Sequence, residues 1–157
     1  MTSISTSQLN LFSPLRYHMG WETPIGEQIQ KPSNQGKSLR PALCLFASEA
    51  LVGDWTQAIP AAVAIDLVHN FSLIHDDIQD KSSLRRGRPT VWSLWGVEQA
   101  INAGDALFAL AHLVLQKEHD LSPESKLDVL RLLDEACLSL TEGQAADIEF
   151  ELSLIHI

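Results

Sequence analysis

Residues 58–80, AIPAAVAIDLVHNFSLIHDDIQD, decide the fold class. Val63, Leu67, Phe71 and Ile74 recur every three or four positions, which places them on one stripe of a helix. The stretch ends in three carboxylates, Asp76, Asp77 and Asp80. Asp76 and Asp80 are one turn apart and share a face, with Asp77 close to Asp80. A helix C-terminus carries partial negative charge and disfavours anions, so this crowding predicts a bound cation. Oxygen donors without cysteine or clustered histidine favour Mg2+, which takes a few carboxylates and fills its shell with water and phosphate oxygens. The alternative is a solvated helix end.

The segment that follows, Lys81–Gly96, is rich in Arg, Gly and Pro and is expected to be a loop anchored by Trp92 and Trp95. It carries Arg85, Arg86 and Arg88. Guanidinium forks match phosphate oxygens in a bidentate manner, so the arginines and the carboxylates together predict a Mg2+–diphosphate site. Taken alone, the arginines are equally a basic surface loop.

Helical spacing continues on both sides. Residues 37–52 carry Leu39, Leu43, Phe46, Ala47 and Ala50, and Gly53-Asp54-Trp55-Thr56 reads as a stop and restart. A helix over about 97–116 runs through Val97, Ile101, Gly104, Phe108, Ala111 and Leu115. Ser122-Pro123-Glu124 is a helix start, with a capping hydroxyl, proline in the first turn and an acid beside it. The last helix carries Leu130, Leu133, Cys137, Leu140, Gln144 and Ile148 on one stripe. No β-alternation and no internal repeat is present, so the fold class is all-α. The closing Leu152–Ile157 has no stop signal and reads as a non-native tail, with 1–151 as the N-terminal part of a single domain.

Composition bounds the function. A chain of 157 residues, 45% hydrophobic, suffices for one domain with a core. Twenty acidic against eleven basic residues give a formal charge of −9, which argues against nucleic-acid binding. Cys44 and Cys137 are far apart within apolar patterns and read as reduced thiols, and a cytoplasmic location is expected. The apolar stretches Ala58–Val68 and Ala106–Leu115 read as too short or interrupted to span a bilayer.

Polar residues interrupt the apolar stripes at few places. Lys37 and Arg40, in Gly36-Lys37-Ser38-Leu39-Arg40-Pro41, put cations where a helix begins, which makes sense if an anion sits between them and the helix amides. His69 lies seven positions before Asp76 and shares its helical face, while the simpler reading is a satisfied core histidine. His75 reads as a bystander. Gln144 interrupts the last stripe with Asp147 three positions on, and such an amide must find a partner. Asn102 and Asp105 have the same status.

In order, Gly36-Lys37-x-x-Arg40-Pro41, His69, Asp76-Asp77-x-x-Asp80, Arg85-Arg86-Gly87-x-Pro89-Thr90, Gly104-Asp105 and Gly143-Gln144-x-x-Asp147 resemble the trans-isoprenyl diphosphate synthases, or polyprenyl synthetases. Within that family the chain looks most like short-chain geranylgeranyl or farnesyl diphosphate synthases. The resemblance implies an isoprenoid-synthase-type helical bundle around a central cavity, truncated at its C-terminus, and a homodimer. It implies 1′-4 condensation of isopentenyl diphosphate with an allylic diphosphate. Asp76 and Asp80, assisted by Asp77, would hold Mg2+ on the allylic diphosphate, with Arg85 on the same group. Lys37, Arg40, His69 and Arg86 would hold the diphosphate of isopentenyl diphosphate, and Gln144 and Asp147 would face the metals from an opposite wall. Product length in the family depends on bulk just upstream of the first aspartates, where Phe71 would form a floor and small Ser72 would leave room.

The chain departs from the family pattern in two respects. Asp66 stands where glutamate is commoner. The second aspartate-rich motif, its Lys-Thr pair and a further glutamine have no counterpart before Ile157, so this stretch alone is expected to be inactive. A non-catalytic, regulatory synthase-like subunit would not need the carboxylates and arginines. A class I terpene cyclase would not need Lys37, Arg40 and Arg86.

Overall fold

A computed structural model describes residues 6–30, 38–117 and 121–155. The chain divides into two compact units, Met1–Val114 and Leu115–Ile157.

The first unit opens with helix α1 (Thr6–His18), followed by α2 (Leu39–Val52) and a 3-10 turn (Thr56–Ala58) that leads into α3 (Ile59–Gln79). Gly53, at φ 71°, closes α2 through its N–H to Glu49 O, the left-handed ending that glycine makes cheap. Asp54 then accepts the Thr56 N–H at 2.9 Å, turning the chain into the next helix as the sequence predicts. Two very short strands follow, β1 (Leu84–Arg85) and β2 (Arg88–Pro89), then α4 (Val91–Trp95) and most of α5 (Val97–Lys117).

One apolar cluster joins four helices: Leu15 and Tyr17 of α1, Ile74 of α3, Val91 of α4, and Ala100, Ala103 and Leu107 of α5. Small side chains dominate where helices meet. Ala62 and Ala64 are buried on α3, whereas Val63, placed on its core stripe by spacing, is 41% exposed. α2 packs against α3 yet buries none of its own side chains; Phe46 is 72% exposed. The expected apolar stripe of α2 is therefore real as a pattern, and nothing among the described residues covers it.

By length and composition alone, Thr56–Gln79 would span a bilayer, which the shorter stretch 58–68 does not reveal. Asp66, His69, Asn70, Asp76 and Asp77 punctuate it, and Ala62, Ala64, Ser72, Ile74 and Asp77 are buried against its neighbours. It is a packed helix of the bundle.

The second unit holds α6 (Pro123–Ile155). The Ser125 N–H donates to Ser122 Oγ at 3.1 Å, the expected N-cap. Leu133 and Cys137 are buried and Leu130 is half-buried. Helix geometry continues to Ile155, so residues 152–155 prolong α6.

Candidate functional site

The end of α3 is bent back onto itself before the arginines begin. Lys81 adopts a left-handed φ of 52°; its N–H donates to Ile78 O, and the Ser82 N–H donates to Asp77 O at 2.9 Å. This pair of bonds is a Schellman ending. Ser82 O in turn accepts from Thr90 Oγ1 (2.9 Å) and Trp92 Nε1 (2.8 Å), so Trp92 anchors the segment as expected.

The segment is not wholly a loop. β1 and β2 pair Leu84 with Pro89 and Arg85 with Arg88, leaving Arg86 and Gly87 as a two-residue turn with φ 54° and 76°. Two successive positive φ angles make a type I′ turn, whose twist suits a hairpin. A non-glycine residue in that region costs about 1 kcal/mol, and Arg86 carries it at an exposed tip. Tyr17 fixes the hairpin to α1. Its hydroxyl donates to Pro89 O (2.8 Å), Arg88 donates to Tyr17 O (2.9 Å), and the Arg88 guanidinium lies 4.2 Å from the centre of the Tyr17 ring. Trp95 meets the same ring edge-on at 5.1 Å.

The three carboxylates do not act alike. Asp77 is buried, at 2% exposure, and accepts Arg85 Nε at 2.8 Å. Burial pushes its carboxyl above the usual range, against the opposing hydrogen bond and charge of Arg85. Asp76 is half-buried and Asp80 exposed. Among the described residues no three histidine, cysteine or acidic side chains converge on one point. Asp77, expected to assist at the metal, is already paired here: burial requires a partner for its carboxylate, and Arg85 supplies one. Asp76 and Asp80, side by side on one face, remain a pair of hard oxygen donors. That set fits a Mg2+ ion completed by phosphate oxygens and water, and does not fit a cage built by protein alone.

A cleft of about 480 Å³ opens beside the hairpin. Ser38, Leu39, Arg40 and Pro41, the first turn of α2, form one side. Ser38 has φ 40° and makes no side-chain cap bond. His69 and Arg86 line the same cleft. Arg40 Nη1 donates to His69 Nε2 at 3.3 Å. Since arginine only donates, this nitrogen of His69 accepts. Burial, and then the charge of Arg40, lower the His69 pKa, which keeps the ring neutral. Arg40, His69 and Arg86, predicted to act together, are brought together. Lys37 lies outside the described residues.

Sequence reasoning did not find His18, Asn70 and Trp21, which also line the cleft together with Arg88. His18 ends α1, a helix that no apolar spacing announces. Asn70 is a polar break in an apolar run, the kind of signal that marked His69. A second, small cavity of about 40 Å³ lies over the Asp77–Arg85 pair, and His18, Asn70, Arg86 and Arg88 line both.

Phe71 is half-buried, its ring 4.9 Å from that of His75 and 5.2 Å from that of Phe108. Ser72 is buried, and its hydroxyl donates to His69 O at 2.9 Å. In the second unit, Gln144 and Asp147 lie with Leu140, Gly143 and Phe150 around a shallow recess of α6, Gln144 half-buried and Asp147 exposed.

Residues 23–155 match the family model of polyprenyl synthetase. The chain is 48% identical over 135 residues to the (2E,6E)-farnesyl diphosphate synthase of Mycobacterium bovis, covering 86% of this chain and 36% of that protein. It is 45% identical over 116 residues to the geranylgeranyl diphosphate synthase of Methanosarcina mazei, covering 74% of this chain and 36% of that one. Among solved structures, the polyprenyl synthetase from Streptomyces coelicolor superposes with a TM-score of 0.80 at 41% identity, over 90% of this chain and 40% of that chain. The chain thus spans little more than a third of the curated relatives it matches. A family match over most of these residues, on a helical scaffold shared with a solved family member, establishes that the chain belongs to the polyprenyl synthetase family.

Proposed function

We propose that this chain supplies the diphosphate-binding wall of a short-chain prenyltransferase, which condenses isopentenyl diphosphate with an allylic diphosphate. One observation carries the reading: Arg40, His69 and Arg86, from three separate elements, line one cleft, while Asp76 and Asp80 share a helix face at the end of α3. Two anion sites of different chemistry, one cationic and one requiring a metal, are what two diphosphate substrates need.

The cationic cleft is the place for the isopentenyl diphosphate, whose charge meets Arg40 and Arg86. His69 accepts from Arg40 and so holds that guanidinium in place. The allylic diphosphate belongs with Asp76 and Asp80. Mg2+ held there would supply Lewis-acid stabilisation of the charge that builds on the departing pyrophosphate. Asp77 locks Arg85, and through it the hairpin, beside that position. Phe71, whose ring meets His75 edge-on and Phe108 at a tilt, limits the length of the prenyl chain. The proposal includes a cytoplasmic homodimer, and the free thiols of Cys44 and Cys137 accord with a reducing compartment.

Titration of the chain with inorganic pyrophosphate, with and without Mg2+, tests the two sites separately. Metal-independent binding is expected to fall in Arg40→Ala and Arg86→Ala, and the metal-dependent increment in Asp76→Ala with Asp80→Ala. A folded chain that binds no pyrophosphate under either condition refutes the reading. Prenyl transfer itself is assayed by joining the chain to the downstream portion that its relatives possess, with isopentenyl diphosphate and each allylic primer.

A further inference from the structure

The wall shared by the two cavities contains a histidine whose protonation state the neighbouring amide fixes. Asn70 Nδ2 donates to Asp66 O at 2.8 Å, so the amide oxygen Oδ1 is the atom that faces His18 Nε2 at 3.1 Å. An oxygen acceptor there requires a proton on Nε2. In the neutral ring the other nitrogen, Nδ1, then carries a lone pair. Groups from every neighbouring element face these cavities: Arg40 from α2, Asp66, His69 and Asp77 from α3, and Arg85, Arg86 and Arg88 from the hairpin. With no anion bound, burial disfavours a charge on His18, the Asn70 hydrogen bond opposes this, and the three hairpin arginines add to it.

We propose that His18 is a further anion-binding residue of the cleft, joining Arg40 and Arg86 as an imidazolium when a diphosphate enters, so that binding draws a proton from solvent. This rests on the reading of the cleft as a diphosphate site. In a neutral His18 the unshared electron pair on Nδ1 would repel a phosphate oxygen brought against it. Protonation turns that nitrogen into a donor while Nε2–H keeps its bond to Asn70. A diphosphate also offsets the arginine charges that add to burial in keeping the ring neutral, so the same event that needs the proton lowers the cost of adding it. The proton passes from buffer to Nδ1, and no other bond changes.

Calorimetric titration with inorganic pyrophosphate at about pH 6, in two buffers of different ionisation enthalpy, counts the protons taken up. The comparison is between the unaltered chain and His18→Gln, whose amide can still donate to Asn70 but cannot titrate. Pyrophosphate exchanges protons of its own, and this contribution cancels between the two proteins. The unaltered chain is expected to take up more protons and to bind about tenfold more tightly. The difference is expected to close above about pH 8. Equal uptake and equal affinity overturn the assignment of His18 while leaving the cleft intact, as does loss of the uptake in His69→Gln instead. Absence of binding in both folded proteins overturns the cleft reading and this one with it. Should His18→Gln fail to fold, ring nitrogen shifts of His18 in the unaltered chain give the answer: conversion to imidazolium on adding pyrophosphate supports the proposal, and an unchanged neutral ring refutes it.

Discussion

A Cβ placed on Gly104 would lie 2.3 Å from His75 Nε2, so α3 and α5 meet at a point with no room for a methyl group. His75 is held there by Phe71, by Ile101 O at 3.4 Å and by Asp105 at 3.7 Å, and it directly precedes Asp76. Gly104→Ala gains up to about 1 kcal/mol of helix propensity but must displace the His75 ring, at an overpacking cost of about 1–3 kcal/mol. The net expectation is destabilisation by about 1 kcal/mol and weaker Mg2+-dependent pyrophosphate binding. Adding His75→Ala removes the clash, so the double variant is expected to recover most of the stability lost by Gly104→Ala relative to His75→Ala alone. Denaturant titration of the four proteins decides this; strict additivity contradicts it.

The Asp77–Arg85 pair predicts an asymmetric response. Arg85→Ala leaves a carboxylate in the interior without its partner, whereas Asp77→Asn leaves an amide opposite a half-exposed arginine. Removing one member of a buried pair costs about 3–5 kcal/mol. Solvent at the arginine reduces this, so about 2 kcal/mol is expected for Arg85→Ala and less for Asp77→Asn. Unfolding curves check the order. Equal losses show that the buried charge is not the cause, and any loss of ligand binding in Arg85→Ala must be read against its stability.

Arg86 separates binding from stability in the opposite sense. Its φ of 54° at the first turn position suits asparagine better than arginine. Arg86→Asn is therefore expected to gain a few tenths to about 1 kcal/mol of stability and to weaken metal-independent pyrophosphate binding by about tenfold or more. A variant that is less stable, or that binds as well as the unaltered chain, shows that Arg86 is placed for the turn and not for the ligand.

These contrasts show what was legible in the sequence. The helices α2, α3, α5 and α6, the Gly53 stop and the Ser122 cap follow from local chemistry and appear as expected, whereas α4 lies within the segment expected to be a loop. The grouping of Arg40, His69 and Arg86 also appears; the family resemblance implied it, whereas local spacing placed His69 only on the face of Asp76. The buried faces are less legible. Large residues mark where a helix is apolar, but the buried positions of α3 and α5 include Ala62, Ala64, Ala100 and Ala103, and Gly104 lies against His75; such small residues carry little pattern of their own. The I′ turn went unseen because arginine is an unusual first residue for it, and α1 because its weak periodicity is interrupted by Pro14. The separation of Asp77 from Asp76 and Asp80 is a tertiary fact, set by where Arg85 arrives.

Phe71 predicts a change of product. Its ring is packed between His75 and Phe108 and is half-buried, so Phe71→Ala is expected to cost about 2 kcal/mol, less than a fully enclosed phenylalanine. In the chain joined to its relatives' downstream portion, the space released is expected to shift products toward longer prenyl chains. Chromatography of the dephosphorylated products measures the shift. An unchanged distribution in a folded variant removes Phe71 from the wall of the prenyl channel.

His18 sets a pH dependence on folding that is independent of any ligand. Its pKa is pushed from 6.5 to about 4, by burial first and by Arg85, Arg86 and Arg88 against the Asn70 hydrogen bond. Above about pH 6.5 the ring is neutral in both folded and unfolded chains and contributes nothing to the dependence. As pH falls below that value the unfolded chain binds a proton that the folded chain does not, so stability declines until about pH 4, where the folded ring titrates too. The full shift corresponds to at most about 3 kcal/mol. His18→Gln is expected to flatten this part of the stability profile, and chemical denaturation at pH values from about 7 down to about 4 measures it. A variant whose stability falls as steeply as that of the unaltered chain shows that other groups, His69 foremost, carry the acid sensitivity. A flattened profile shows that the arginine-lined cleft holds His18 neutral at the expense of stability in acid.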